Sequence, residues 1–228
     1  MGPDVVLRAA GLRKSFRGPD GRAIEVLRGA DLGLVPGEHV AIVGRSGSGK
    51  STLLNLLGAL DRPDGGELWF RGLLLTRADR RALARFRGRH LGFVFQAFNL
   101  IPELTAWENV LLAARYVGRD RASASRAAER LFERLGIADR AAHYPPALSG
   151  GEQQRVAFCR AVLNDPVVIF ADEPTGNLDD ENAGVILQEL RARARTGEAA
   201  VLLVTHSPDL ARAADRVLNL VDGRLVTA

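Results

Sequence analysis

Cysteine is nearly absent. Cys159 stands alone, which excludes an intramolecular disulfide and is compatible with a reducing compartment. With one cysteine and four histidines scattered along the chain, no Cys/His cluster has zinc spacing. Lysine is almost as scarce: Lys14 and Lys50 are the only two, and the remaining positive charge is arginine. No run approaches the ~20 apolar residues that a membrane-spanning helix needs. Met1-Gly-Pro-Asp4 is not a basic-then-apolar leader, so no secretory signal is expected. Any role at a membrane is therefore expected to run through a partner. Low-complexity tracts and internal repeats are missing too.

What remains is an ordinary globular composition. A chain of 228 residues suits one large or two small domains of ~100–200 residues. A hydrophobic content of 46% excludes an intrinsically disordered protein. The sequence pI of 9.9 draws attention to nucleic acid. A net charge of +4 is modest for this length, however, and acidic residues are interspersed. The arginines read as solvated surface, with no nucleic-acid partner expected.

The organising stretch is Gly44-Arg-Ser-Gly-Ser-Gly-Lys-Ser51, which fits the phosphate-binding pattern G-x-x-x-x-G-K-[ST]. Val40-Ala-Ile-Val43 before it reads as a buried strand, and Thr52 to Leu57 after it as an apolar helix reaching about Leu60. Strand, loop and helix in that order are what the pattern requires. Gly44, Gly47 and Gly49 let backbone N–H groups face phosphates, and the helix start adds attraction for anions. Lys50 supplies a charge to the terminal phosphates, and the Ser51 hydroxyl suits Mg²⁺. This predicts an NTP site.

Val5–Leu12 and Ala23–Leu34 read as strands separated by the turn cluster Gly18-Pro-Asp-Gly21. Phe16 is either a base-stacking aromatic or a core side chain, and the residues alone favour core. Glu67–Phe70 and Gly72–Leu75 look like a strand pair. The arginine-rich residues 77–89 read as a solvated helix, and Leu91–Phe95 as a buried strand ending at Gln96. From about Ala97 to Asn164 the chain reads as a mainly helical insertion. Ala128, Leu131, Phe132 and Leu135 fall at helical spacing, closed by Gly136. Ser149-Gly-Gly-Glu152 has the form of a capping box, so it starts a helix that ends before Pro166. Residues 185–195 form a linking helix, and Val217–Leu225 a hairpin turning at Asp222-Gly223. The expected architecture is one α/β domain. Residues 1–96 and 165–228 form a mainly parallel core with an N-terminal antiparallel part, and residues 97–164 are inserted.

Val167–Ala171 and Val201–Val204 are apolar runs that deliver Asp172-Glu173 and Thr205-His206 at their carboxyl ends. Open α/β sheets build ligand sites there. Asp172 is expected to hold Mg²⁺ through water, with Ser51 as a direct ligand. Glu173, pointing the other way along the extended chain, is placed to activate a water in line with the γ-phosphate. His206 reads either as a structural histidine or as a partner of Glu173 or the γ-phosphate. Gln96 reads as a possible ligand of Mg²⁺ or of the attacking water. The two glycines opening the Ser149 helix make a second anion site. That site implies either a second nucleotide or a nucleotide held by another copy.

Taken together, these motifs resemble the ATPase subunit of ABC transporters, over essentially the whole chain. Leu148-Ser-Gly-Gly-Glu152 with Gln153-Gln-Arg155 looks like the family's signature. Asp172-Glu-Pro-Thr-Gly-Asn-Leu-Asp179 looks like its metal-binding strand end and the loop that follows. The resemblance implies ATP and Mg²⁺ as cofactors, with Phe16 stacking on adenine. Gly44, Arg45, Ser46, Gly47, Ser48, Gly49, Lys50, Ser51 and Thr52 would cradle the phosphates. Glu173, His206 and Gln96 would be catalytic, with Ser51, Gln96 and Asp172 around the metal.

The resemblance also implies a head-to-tail homodimer clasping two ATP molecules. Ser149, Gly150, Gly151, Glu152 and Asp179 of one copy would complete the site of the other. A transmembrane permease is expected to dock near residues 96–108, where Phe98, Leu100, Ile101, Leu104 and Trp107 cluster. That would hold the protein on the cytoplasmic face of the cell membrane. Gly92–Gln96, Asn99–Thr105 and Glu108-Asn-Val110 look like the branch of lipoprotein-release, macrolide-export and FtsE-type cell-division ATPases, and Glu152 leans towards lipoprotein release. Ala97-Phe98, without the histidine pair of that subgroup, and Phe158–Val162 depart from the pattern. A mechanical ATPase that moves no cargo is the competing expectation.

Overall fold

The computed structural model describes residues 5–19 and 21–227. The leader reading at residues 1–4 and Asp20 of the first turn lie outside them. In chain order the elements are β1 (Leu7–Arg17), β2 (Ala23–Leu34), β3 (His39–Val43), α1 (Lys50–Leu57), β4 (Gly65–Phe70) and β5 (Leu73–Leu74). Then come α2 (Arg80–His90), β6 (Leu91–Phe95), α3 (Ala106–Val117), α4 (Arg121–Arg134), α5 (Gly150–Val162) and β7 (Val168–Asp172). The chain ends with α6 (Asp180–Arg195), β8 (Ala200–Val204), α7 (Pro208–Ala211), β9 (Arg216–Val221) and β10 (Arg224–Thr227).

Two sheets form. The first runs β2-β1-β4-β5 and is antiparallel. The second runs β10-β9-β3-β8-β7-β6; its strands are parallel except β10, which returns antiparallel on β9. Alternation along the central strands explains their unbroken apolar sequences. Val168 and Phe170 of β7 and Ala200, Leu202 and Val204 of β8 join one buried cluster with Leu53, Leu54 and Leu57 of α1 and the first sheet. Ile169 and Ala171, with Val201 and Leu203, point to the other face. There they pack with Phe132 of α4, Val156 and Phe158 of α5, and Ile186 and Leu190 of α6. A strand buried on both faces has no polar face to show. Each Val, Leu, Ile or Phe among them contributes about 1.5–3 kcal/mol by leaving water.

The α/β architecture expected from the sequence is present, with several bounds shifted. β1 continues past Leu12 to Arg17, because Gly11 sits in a bulge at φ 60° rather than at a strand end. α1 starts at Lys50 and stops at Leu57, and Leu60 lies exposed beyond it. α2 begins at Arg80, capped by Asp79, whose side chain accepts from Ala82 N; Leu83 and Phe86 are buried beneath its arginines. α6 starts at Asp180, five residues before the expected 185, because Asp179 caps it. Helix α3 was not expected as a separate element. Its Thr105–Glu108 capping box is complete.

Candidate functional site

Four parallel strands end in one row. Across the sheet Ile42 pairs with Val204, Val204 with Asp172, and Asp172 with Phe95. The chain leaves this row as the loop from Gly44, as Thr205-His206, as Glu173 and as Gln96. Residues far apart in sequence thereby share one carboxyl edge.

The loop is tight. A Cβ at Gly44 would lie 2.8 Å from Ser48 Oγ and 2.9 Å from Leu220 O. Gly49 has φ 99°, and its Cβ would meet Val26 Cγ1 at 2.6 Å. Lys50 is buried and donates to the carbonyls of Gly44 (2.9 Å) and Arg45 (3.0 Å). Arg45, Ser46, Gly47 and Ser51 are exposed, and Thr52 is half-buried. The buried Ser48 Oγ has no hydrogen-bond partner, so one polar atom inside the loop remains for a phosphate oxygen. α1 has no side-chain N-cap, which leaves its first N–H groups for an anion.

Burial pushes the Asp172 carboxyl above its usual range. A hydrogen bond with Ser51 and the Lys50 charge oppose that shift, and the Glu173 carboxylate adds to it. Glu173 holds a left-handed backbone, φ 45°, unusual for a residue with a Cβ. Such a conformation costs about 1–3 kcal/mol. It is held by Glu173 N donating to Val204 O (2.9 Å) and by Gly176 N donating to Glu173 O (3.1 Å). His206 Nδ1 lies 2.9 Å from Glu173 Oε1, and Thr205 Oγ1 donates to Oε2 at 3.3 Å. The carboxylate is thus gripped from two sides. His206 itself is 73% exposed.

Gln96 is exposed, and its Nε2 donates to Asn177 Oδ1 (3.2 Å), while Asn177 Nδ2 donates to Gln96 O (3.1 Å). The loop after it turns through Phe98 and Asn99, both left-handed. Arg160 of α5 donates to their carbonyls, at 2.8 Å for Phe98. Gln154, fully buried on α5, donates to Phe95 O (3.3 Å) and to Pro174 O.

At the start of α5, Ser149 Oγ accepts from Glu152 N (3.3 Å), and Glu152 Oε2 accepts from Ser149 N (2.8 Å). Arg140 donates to Glu152 Oε1 (2.6 Å). The Ser149 backbone N–H, then Arg140, hold the Glu152 carboxyl down to about 2. Gly150 is half-buried and Gly151 buried. Asp179, capping α6, is held below the usual range by the Asn182 N–H. Among the described residues no hydrogen bond or ion pair joins residues 149–152 to the 44–52 loop of the same chain.

Phe16 is 45% exposed, so the core reading of it fails. Lys14 Nζ lies 5.5 Å over its ring. Phe16 pairs with Ile24 of β2, two residues from the Val26 that meets Gly49. Along residues 96–108, Leu100 and Trp107 pack against the second core, Trp107 edge-on to Phe132 at 5.6 Å, while Ile101 stays exposed. Beside them lies a groove of about 460 Å³ lined by Leu104, Trp107, Leu111, Leu112, Arg115 and Arg121.

Ser51, Asp172 and Gln96 offer hydroxyl, carboxylate and amide oxygens, a hard donor set that fits Mg²⁺. Together with the orphaned Ser48 hydroxyl, the edge fits a magnesium-bound triphosphate. Thr205, Asn177, Gln154, Arg140 and Arg160 were not assigned from the sequence. Thr205 stood at a strand exit, and Gln154 and Asn177 lay inside the two family motifs without a role of their own; Arg140 and Arg160 carried no signal of a role.

The sequence pattern of the family described as "ABC transporter" matches residues 27–176. A lipoprotein-releasing system ATP-binding protein LolD of Pseudomonas syringae pv. tomato is 48% identical over 100% of both chains. A macrolide export ATP-binding/permease protein MacB of Marinobacter nauticus is 46% identical over 99% of this chain, which spans 35% of that protein. Among solved structures, a dimeric post-hydrolysis state of the ATP-binding cassette MJ0796, bound to ADP and Pi, superposes with a TM-score of 0.89. It is 37% identical, with 96% of each chain covered. Among the described residues no helix is long and apolar enough to cross a membrane. A triphosphate loop, a braced carboxylate and likeness along the full chain converge: this protein belongs to the ABC transporter family, as one of its ATP-hydrolysing cassettes.

Proposed function

We propose that this cassette powers a transmembrane permease of the lipoprotein-release or macrolide-export type, working from the cytoplasmic face as a homodimer that clasps two ATP molecules. Lys50 and the 44–52 backbone hold the phosphates, and Phe16 takes the adenine. Ser149, Gly150, Gly151, Glu152 and Asp179 complete the site of the other copy. Among the described residues no hydrogen bond or ion pair links residues 149–152 to the loop of their own chain, which supports that division of labour. Ser51 and Gln96 would hold Mg²⁺ directly and Asp172 through water, and the ion would supply positive charge against the phosphates. Glu173 accepts the proton of the water that attacks the γ-phosphorus, while the bond to the ADP oxygen breaks. His206 and Thr205 keep the carboxylate aimed. The permease docks on residues 96–108 and the groove beside them, where apolar side chains and arginines lie together. Lipoprotein release is favoured by the likeness to the Pseudomonas protein over its full length.

The observation that carries this reading is Glu173, strained and braced by His206 at the edge that also bears Lys50. Glu173→Gln is expected to slow ATP hydrolysis by ~10²–10⁴-fold, to leave ATP binding intact and to accumulate a dimer in sedimentation. Turnover at the parental rate, or a monomer that persists with saturating ATP, overturns it.

A further inference from the structure

We propose that Asn177 is a positioning residue for Gln96: it turns the Gln96 amide so that the oxygen end is the one left for a divalent cation. This rests on the reading of Gln96 as a metal ligand.

A glutamine amide has two ends of nearly the same shape, and only the oxygen can ligate a hard cation. An untethered Gln96 would present either. Two hydrogen bonds remove that freedom. Asn177 Nδ2 donates to the backbone carbonyl of Gln96 at 3.1 Å. A carbonyl can only accept, so this contact settles which end of Asn177 is which. Its other end, Oδ1, is then an acceptor, and the Gln96 side chain meets it at 3.2 Å. Only Nε2 can donate there, so Oε1 remains for another partner. The assignment follows from donor and acceptor chemistry rather than from the similar outlines of N and O.

The surrounding chain holds both partners in place. A Cβ at Gly176 would lie 2.8 Å from Gln96 Nε2 and 3.1 Å from its Cδ, so the amide packs directly on that glycine. The 174–178 loop is tied by Gly176 N to Glu173 O and by Leu178 N to Thr175 O, each 3.1 Å. Phe95, just before Gln96, has its carbonyl held by Gln154. The loop that leaves Glu173 thus also sets which atom Gln96 offers.

Mn²⁺ standing in for Mg²⁺ tests this by electron paramagnetic resonance on the full chain with ATP, in a Glu173→Gln background. Asn177→Leu is expected to raise the Mn²⁺ dissociation constant by about five-fold, the loss of one orienting hydrogen bond. ATP binding measured in EDTA stays as in the parent. Gln96→Glu replaces the amide with a carboxylate whose two oxygens are equivalent, so no turning is needed. On that background Asn177→Leu is expected to change Mn²⁺ affinity by less than about two-fold, whereas a general structural role would weaken it equally on both. Equal weakening on both backgrounds, or none with Gln96 present, overturns the proposal. Gln96→Ala separates the two ideas. If it weakens Mn²⁺ and Asn177→Leu does not, only the orienting role falls. If Gln96→Ala leaves Mn²⁺ affinity unchanged, the ligand reading falls and the orienting role with it.

Discussion

Gly151 owes its identity to Asn182 on the following helix. An added Cβ would sit 2.2 Å from Asn182 Oδ1 and 2.3 Å from Cγ. Asn182 has little room to yield, because its Nδ2 donates to both Asp179 oxygens (2.9 and 2.7 Å) and its Oδ1 accepts from Arg155. Gly151→Ala is therefore expected to lower stability by about 1–3 kcal/mol, read by urea unfolding. An unchanged midpoint would show that the two helices separate freely. The sequence offered a different reason for this glycine, an exposed N–H for an anion, and said nothing of Asn182. Glu173 and Lys50 were legible as single residues because each sits in a local pattern of strand, loop and charge. Asn177 was not. Its partner Gln96 is 81 positions away, and only the pairing of β6 with β7 brings the two loops together.

Helix α5 begins with a reciprocal box whose charge state has a measurable consequence. Glu152 is held near 2 in the folded protein, below its ordinary 4.5. A depressed carboxyl stabilises the fold above the unfolded value and loses that contribution as pH falls through the folded one. The stability gap between the parent and Glu152→Gln is thus expected to be full above about pH 4.5. It should shrink progressively towards pH 2, in denaturant titrations at stepped pH. A gap independent of pH would remove the charge from the account. This capping box was legible because Ser-x-x-Glu precedes an apolar helix. An equal signal at Thr105–Glu108 was read instead as part of a docking surface, since Phe98, Leu100, Ile101, Leu104 and Trp107 cluster around it. The structure divides them: Leu100 and Trp107 pack inward, Ile101 outward. Strands β7 and β8 were plain because burial on both faces leaves an unbroken apolar run. β1 was read only as far as Leu12, because the register shifts on either side of Leu12 break the alternation that would have carried the reading to Arg17.

Across the whole molecule, Arg160 of α5 ties the turn after Gln96 through the Phe98 and Asn99 carbonyls, and the groove beside α3 lies further along the same insertion. If the permease seats in that groove, a charge in its apolar wall should exclude it. Leu111→Asp is expected to abolish co-purification of a co-expressed permease while ATP still raises the melting temperature of the cassette. Retained co-purification would move the docking site elsewhere. The sheet order has a consequence for synthesis as well. β3 carries the phosphate loop, yet both its neighbours, β8 and β9, come from residues 200–221. The β9–β10 turn then fastens to the first sheet through Arg28 N donating to Gly223 O at 2.8 Å. A nascent chain that has reached only the end of α6 therefore has neither strand that will flank β3. The translating polypeptide thus makes its fuel-gripping loop early and seats it late, once both of those flanking segments have been threaded in.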